Sequence, residues 1–173
     1  FSSLSQRLST LRMLKKFWSQ GDTKEAIQQL QTLVDGAFGD TCQLMVIGDF
    51  IRSVEPTLNK GLSLHDCQLL LPILEALMGV GVSSTATGSG MNENSAAEIL
   101  CSCAARAMLT MLKCFGTLIK QTRSVIVANG SNSSNYNSYC NGVDMAQEAR
   151  LIKCNKCHAV IVRVKQRLDS NLI

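Results

Sequence analysis

The sequence predicts an all-α fold, a single helical bundle of about six helices with two flexible polar loops. Aromatic residues make up only 5% of the 173 residues, whereas hydrophobic residues make up 46%. β-Strands draw on aromatic and β-branched side chains, so this composition favours helices. Apolar residues recur every three or four positions, and only Pro56 and Pro72 interrupt the chain. We therefore expect residues 1–173 to form one helical domain.

The first half of the chain predicts three helices separated by short breaks. Leucines and a tryptophan repeat at helical spacing over residues 3–19, and Gly21 ends this helix. A second helix is predicted for residues 22–36, because an Asp followed three residues later by a Glu has the spacing of a capping box. A third helix begins near residue 40 and ends before Pro56 at the latest, since the residue preceding a proline avoids the helical conformation.

The second half predicts three further helices and the two polar loops. A central helix over residues 63–78 begins with a capping serine and is apolar around much of its circumference. A Gly-, Ser- and Thr-rich segment at about 79–94 has no apolar periodicity and predicts a flexible loop. A long helix follows to about residue 127, and the Asn- and Ser-rich segment 129–142 predicts the second loop. The last helix covers residues 144–168.

The net charge of +4 is distributed unevenly along the chain. Residues 1–20 carry four cations and no acid, residues 36–99 carry seven acids and two cations, and residues 100–173 carry ten cations and three acids. Six of the cations lie from Arg150 to Arg167 without an intervening acid. The pattern indicates an anionic partner that meets the terminal segments, with a solvated helix face as the alternative interpretation.

The eight cysteines could belong to a disulfide framework or a metal site. Seven of them, however, lie in apolar, helix-periodic segments, and Cys140 lies in a predicted loop. A chain that can build its own core does not need a disulfide scaffold. We therefore expect a reducing compartment in which the cysteines act as small buried hydrophobes.

One motif, C-N-K-C-H at residues 154–158, matches the C-x-x-C-H of covalent haem attachment. Both of its cysteines fall on the apolar stripe of a basic helix, and no methionine follows them as a further ligand. As half of a zinc site the motif lacks a partner, because Cys101 and Cys103 are spaced to diverge on a helix. We expect no metal and no cofactor, and the alternative is a small helical haem or redox protein that uses Cys154, Cys157 and His158.

The sequence contains no motif of a known catalytic site. Phosphate-binding glycine loops, zinc-protease motifs and nucleophile elbows are absent, and the acidic residues are scattered. We therefore expect no catalytic residues and no enzymatic activity. No apolar run approaches the roughly 18–20 residues that span a bilayer, so no membrane partner is expected. A basic helical nucleic-acid-binding domain is a further alternative, although stacking aromatics are missing from the basic segments apart from Phe17 and Trp18.

Three motifs lie in order along the chain and together carry a family resemblance. Residues 7–27 read R-L-S-T-L-R-M-L-K-K-F-W, then a G-D turn and a K-E-A-I helix. Residues 62–77 contain a C-Q-L-L-L-P helix, and residues 141–158 contain V-D followed by R-L-x-x-C-x-x-C. These motifs resemble the carboxy-terminal domain of the regulatory, WD-repeat-containing subunit of katanin. In that family the paired cysteines are structural and the next position is aromatic, from which His158 departs.

The resemblance implies a non-catalytic adaptor within a heterodimer that severs microtubules. Its partners would be the amino-terminal domain of the katanin catalytic ATPase subunit, microtubules, and spindle-pole or minus-end proteins. The implied location is the cytoplasm and its microtubule cytoskeleton, including the centrosome or spindle pole and the cilium. Because the chain starts at Phe1 without a Met, we expect it to be the carboxy-terminal fragment of a longer protein.

The basic segments supply the candidate microtubule-binding residues. The main patch lies on the last helix and comprises Arg150, Lys153, Lys156, Arg163, Lys165 and Arg167. A secondary patch on the first helix comprises Arg12, Lys15 and Lys16. The candidates for core or partner-interface anchors are Phe17, Trp18, Leu70 and Leu74.

Overall fold

The computed structural model describes residues 2–36, 41–83, 91–130 and 145–170. Six α-helices are numbered in chain order: α1 (Ser2–Ser19), α2 (Thr23–Gly36), α3 (Thr41–Val54), α4 (Leu64–Ser83), α5 (Met91–Gly130) and α6 (Met145–Ser170). A short 3-10 helix, Glu55–Thr57, follows α3. The described ranges contain no strand, which confirms the predicted all-α bundle.

The helices pack around α4 and α5, which form the centre of the bundle. α4 contacts α2, α5 and α6, and α5 also contacts α3 and α6, while α1 packs on α2 and α3. The largest fully buried side chains come from five of the six helices and the turn before α4: Leu14, Ile27, Leu30, Ile47, Phe50, Leu58, Cys67, Leu71, Ile73, Leu74, Leu77 and Met111. α6 closes the core with Cys154, Cys157, Val160 and Val164.

The buried contacts of the N-terminal helix lie in its second half. Trp18 packs edge-on against Phe50 of α3, with ring centroids 5.8 Å apart. The indole Nε1 of Trp18 donates a hydrogen bond of 3.1 Å to Oγ1 of Thr57. The chain then turns at Gly21, whose φ of 84° suits glycine far better than other residues. The first half of α1 contributes no buried side chain among its described residues.

α3 and α5 cross closely, and a glycine permits the approach. Gly48 is buried, and a Cβ atom at this position would lie 3.3 Å from Cδ1 of Leu100 on α5. α3 ends at Val54, and Pro56 lies in the 3-10 helix that follows, as predicted for this proline.

Ser63 caps α4 by a reciprocal arrangement. Its Oγ accepts a hydrogen bond of 3.2 Å from the backbone N–H of Asp66, and Oδ2 of Asp66 accepts one of 2.9 Å from the backbone N–H of Ser63. Two backbone donors that the helix itself leaves unpaired are thereby satisfied. The predicted capping role of Ser63 is confirmed.

We expect the substitution Ser63→Ala to lower the free energy of unfolding by about 1–2 kcal/mol, because the cap is lost and the buried Asp66 loses a donor. Ser102→Ala on the exposed face of α5 is the matched control and should change stability by at most about 0.5 kcal/mol. Urea denaturation followed by circular dichroism measures both. Equal stabilities of the two variants would contradict the capping role.

The predicted loop boundaries were wrong at three helix ends. α4 continues to Ser83 and α5 begins at Met91, so the ends of the segment 79–94 are helical, and residues 84–90 lie outside the described residues. α5 also continues to Gly130, while the remainder of segment 129–142 lies outside them. Gly79 is helical despite its low propensity, and a Cβ atom at this position would lie 3.7 Å from Nη1 of Arg167 on α6.

The prediction that the cysteines are buried holds for most of those described. Cys67, Cys103, Cys154 and Cys157 are buried, all as free thiols, and Cys101 is half-buried. Cys114 is exposed, contrary to the prediction, because the surrounding turn of α5 is left uncovered. Cys42 and Cys140 lie outside the residues whose side chains are described.

One segment of α5 bears on the expectation of no membrane partner. Glu98–Ser124 has a mean hydropathy of 1.4 and is long and apolar enough to cross a membrane by length and composition. The central helix of a globular bundle passes the same test, and this segment packs against α3, α4 and α6. Only 33% of its most apolar stretch is buried, however, which leaves apolar surface on the outer face of α5.

Candidate functional site

The six cations predicted on the last helix do not form one patch. All are exposed except the half-buried Lys153. At about 100° per residue, Lys156, Arg163 and Arg167 fall within an arc of about 40° on α6. Lys165 lies on the opposite side of the helix, and Arg150 lies about 120° from Lys156. Lys153 lies midway between Lys156 and Arg150, so the structure divides the predicted patch into a stripe of three cations, two cations that flank it and Lys165 on the opposite side.

An acidic residue of α4 lies against this stripe, and the charge pattern of the sequence alone does not predict the contact. Glu75 is buried, and its carboxylate accepts hydrogen bonds of 2.9 Å from Nε and 2.7 Å from Nη2 of Arg163. Nη2 of Arg167 lies 3.5 Å from the same carboxylate. The bond to Glu75 raises the pKa of Arg163 further above its ordinary value. Arg163 and Arg167 therefore tie α6 to α4, whereas Arg150, Lys153 and Lys156, nearer the start of the helix, do not contact Glu75.

The secondary patch lies on α1, next to exposed apolar residues. Arg12, Lys15 and Lys16 are all exposed. On the same helix Leu4 is 64% and Leu8 46% exposed, although both belong to the apolar stripe of the helix. The stripe of α1 is thus buried only in its second half.

An arginine links the exposed end of α1 to α3. Nη1 of Arg7 lies 3.8 Å from Sδ of Met45, and its Nη2 forms an ion pair with Asp49. Met45 is 42% exposed, so the leucines of α1 and this methionine form an apolar surface across two helices. We name Leu4, Leu8 and Met45 the α1–α3 surface.

The four predicted anchor residues occupy two environments. Leu70 and Leu74 of α4 are buried in the core, with 3% and 0% of their surface exposed. Phe17 and Trp18 of α1 are half-buried and pack against the edge of that core.

The cysteines of the C-N-K-C-H motif face the core. Cys154 and Cys157 are completely buried, and Sγ of Cys157 lies 3.9 Å from Sγ of Cys67 on α4. This contact and burial raise the pKa of the Cys67 thiol far above its ordinary value, which makes it a poor nucleophile. His158 faces a different surface, so the motif does not present its two thiols and its imidazole to one external group. Among the described residues, no three His, Cys, Asp or Glu side chains are placed to hold a metal ion.

His158 lines a groove between α5 and α6 with a volume of about 710 Å³. The lining consists of Leu112, Gly116, Ile119, Lys120, Arg123 and Ser124 of α5 and Leu151, Asn155, His158 and Ile161 of α6. Nε of Arg123 donates a hydrogen bond of 3.1 Å to Oδ1 of Asn155. Partial burial and the charge of Arg123 lower the pKa of His158 below its ordinary value.

Sequence reasoning missed both this groove and Glu75. The groove has a sequence signal, because Leu112, Gly116, Lys120 and Ser124 recur at every fourth position and a glycine among larger residues makes a depression on a helix face. Glu75 has no such signal, since its partners on α6 lie 88 and 92 residues further along the chain.

The geometry defines an all-α helical domain with basic and apolar surfaces on several helices. Comparisons with known proteins identify it further. The model of the con80 domain of katanin matches residues 1–88, which is half of the chain. The chain is also similar to "Katanin p80 WD40 repeat-containing subunit B1 homolog KTN80.3" of Arabidopsis thaliana, with 32% identity over 83 residues, or 48% of this chain. No solved structure shows a significant match.

The chain belongs to the con80 domain family of katanin and is a domain of the regulatory-subunit type, which confirms the resemblance seen in the sequence. The similarity covers only 9% of the length of the Arabidopsis protein. The activity and partners of a complete subunit therefore come to this chain only as proposals.

Proposed function

We propose that this domain is a non-catalytic adaptor that binds the amino-terminal domain of the katanin catalytic ATPase subunit and helps to bring the severing complex to microtubules. The family match over α1 to α4 carries the proposal. The proposed location is the cytoplasm and its microtubules, with spindle-pole or minus-end proteins as further partners and spindle poles and cilia as particular sites.

The α1–α3 surface is our candidate for contact with the ATPase subunit. Exposed Leu and Met side chains on two adjacent helices can continue a bundle into the helices of a partner. Leu4 and Leu8 lie one turn apart, and Arg7 fixes their helix against α3 through Asp49. The surface lies within the residues that match the family.

The first turns of α6 are our candidate for contact with microtubules. Arg150, Lys153 and Lys156 do not contact Glu75, so their charges are available to an acidic tubulin surface. Such attraction acts over a distance of about 10 Å at moderate salt and weakens as salt is added. Arg163 and Arg167 are second choices, because they already pair with Glu75.

We expect the triple reversal Arg150→Glu, Lys153→Glu and Lys156→Glu to weaken microtubule pelleting about tenfold at low salt, because it inverts a cationic surface. Co-purification with the ATPase subunit's amino-terminal domain should be unchanged. The opposite variant, Leu4→Ser with Leu8→Ser, should lose co-purification and keep the pelleting of the isolated domain.

A matched control distinguishes the effect of where the charges lie from the effect of the change in net charge. Lys24, Lys60 and Lys113 are exposed and lie on other parts of the bundle, and reversing all three gives the same change in net charge. This control should pellet more strongly than the α6 variant.

Three outcomes would contradict the proposal. Loss of both activities in the α6 variant would mean that these residues support the fold. Complete competition of pelleting by duplex DNA at matched salt would favour a nucleic-acid-binding domain instead. Absence of any complex with the ATPase domain at micromolar concentration would refute the adaptor role.

A further inference from the structure

The groove between α5 and α6 is elongated along both helices. Its lining residues recur on successive turns, from Leu112 to Ser124 on α5 and from Leu151 to Ile161 on α6. At 1.5 Å per residue the twelve steps on α5 cover about 18 Å, which is the length of a helix of about twelve residues. A trough of this shape fits an extended secondary-structure element better than a compact small molecule.

The floor of the groove is apolar and incompletely covered. Ile119 is buried, while Leu112, Leu151 and Ile161 are half-buried. By helix geometry Leu109 lies on the same face of α5 as Leu112 and Gly116, and it is 56% exposed. The apolar surface therefore continues one turn beyond the groove. Only 33% of the most apolar stretch of α5 is buried, so part of its apolar surface is left uncovered by the described helices.

The rim of the groove is cationic. Lys120 and Arg123 line it, and its lining residues include no acid. Arg123 is held in place by Asn155 of the opposite helix, so its guanidinium is positioned and not free to turn away. From Arg106 to Arg167 the described residues carry ten cations and one acid, Glu148. Three of these cations pair with Glu55 or Glu75, and the remaining seven add to the positive potential around the rim.

We propose that the α5–α6 groove is a docking site for an acidic amphipathic helix of a partner protein. The apolar side chains of such a helix would cover Leu112, Ile119 and Ile161, and its carboxylates would meet Lys120 and Arg123. Charge complementarity selects this occupant, since a basic or purely apolar helix would leave the two cations unpaired. On α6 the groove residues lie about 150° around the helix from Lys153 and Lys156 of the proposed microtubule contact, and Arg150 lies between the two surfaces.

Fluorescence anisotropy with the full 173-residue chain tests the proposal. The probe is a labelled synthetic peptide of about 14 residues with leucines on one helical face and glutamates on the other. Two further peptides serve as comparisons, one with the same composition in scrambled order and one in which serine replaces every leucine. We expect the amphipathic peptide to bind at least about tenfold more tightly than either comparison peptide, because only it offers both an apolar face and carboxylates.

Gly116 allows the groove to be filled without disturbing the core. A Cβ atom at Gly116 would meet no atom within 4 Å, and the same holds for Gly61 in the turn before α4. Gly116→Phe should therefore weaken peptide binding at least about tenfold by occupying the groove, whereas Gly61→Phe should leave it unchanged. Lys120→Glu with Arg123→Glu should weaken binding by a similar factor at low salt. Circular dichroism of each variant establishes that the helices are retained.

The imidazole of His158 provides a second, site-specific measurement. Its proton resonances should shift when the amphipathic peptide is added and should not shift with the scrambled peptide. Equal affinity for all three peptides, or unchanged binding by the folded Gly116→Phe variant, would overturn the proposal. Two other occupants are also distinguished. Self-association that Gly116→Phe abolishes would assign the groove to a second copy, and peptide binding only after replacement of residues 131–144 by a Gly-Ser linker would assign it to the chain itself.

Discussion

Leu74→Ala is expected to lower the free energy of unfolding by about 3–4 kcal/mol, one of the two largest effects of a single substitution in this domain. Leu74 is completely buried on α4, at the point where this helix meets α2, α5 and α6. Removing its side-chain carbons loses their transfer free energy and leaves a cavity that a core between four helices cannot close. Urea denaturation measures the effect as a lower midpoint at an unchanged m value.

Leu109→Ala is the matched control for this prediction. Leu109 lies on α5 with 56% of its surface exposed, so the same chemical change should cost less than about 1 kcal/mol. The comparison also decides between the two roles that the sequence left open for Leu74. A stable Leu74→Ala variant that fails to bind the ATPase domain would show an interface residue, whereas lowered stability with binding retained below the unfolding temperature would show a core residue.

The second large loss of stability is expected at the ion pair of Glu75 and Arg163. Removing the arginine should cost more than neutralising the glutamate. The Glu75 side chain is only 9% exposed, whereas that of Arg163 is 50% exposed. Arg163→Ala strands a buried carboxylate with Arg167 alone, at 3.5 Å. A buried charged group that lacks its donors costs on the order of 2–3 kcal/mol. Glu75→Gln should cost less, because the freed guanidinium can turn toward water.

Thermal and urea unfolding of four proteins test the asymmetry. We expect Arg163→Ala to be less stable than Glu75→Gln, and the double variant to regain part of the loss because no buried charge is left unpaired. Arg106→Ala is the matched control, since the Arg106–Glu55 pair links α5 to the 3-10 helix through an arginine that is 65% exposed. It should change stability little. Equal stabilities of the Arg106→Ala and Arg163→Ala variants would contradict a structural role for the pairing of Arg163 with Glu75.

Much of the fold could be predicted because the relevant information is local. Leucine spacing defines α1, the serine and aspartate at the start of α4 define its cap, and Pro56 limits α3. Each of these signals acts within a few residues, so the sequence contains both partners of every interaction. The family resemblance was recoverable for the same reason, because its motifs lie on contiguous segments.

The parts that could not be predicted depend on contacts between distant segments. Propensity alone predicts a loop at Gly79, but α4 continues through it to Ser83, alongside Arg167 of α6. The charge pattern located the cations of α6 but could not show that Glu75 pairs with two of them. Similarly, periodicity placed Cys67 and Cys157 on buried faces without showing that the two sulfurs are neighbours.

The end of the family match has a consequence for how this domain can be divided. The match ends at residue 88, before α5 begins at Met91, yet α5 and α6 both cover the buried face of α4. A fragment restricted to residues 1–88 would expose the leucines of α4 to water and would be expected to aggregate. The segment that the family model matches is therefore smaller than the segment that folds. Since α4 belongs to both parts, the whole bundle should melt in a single cooperative transition.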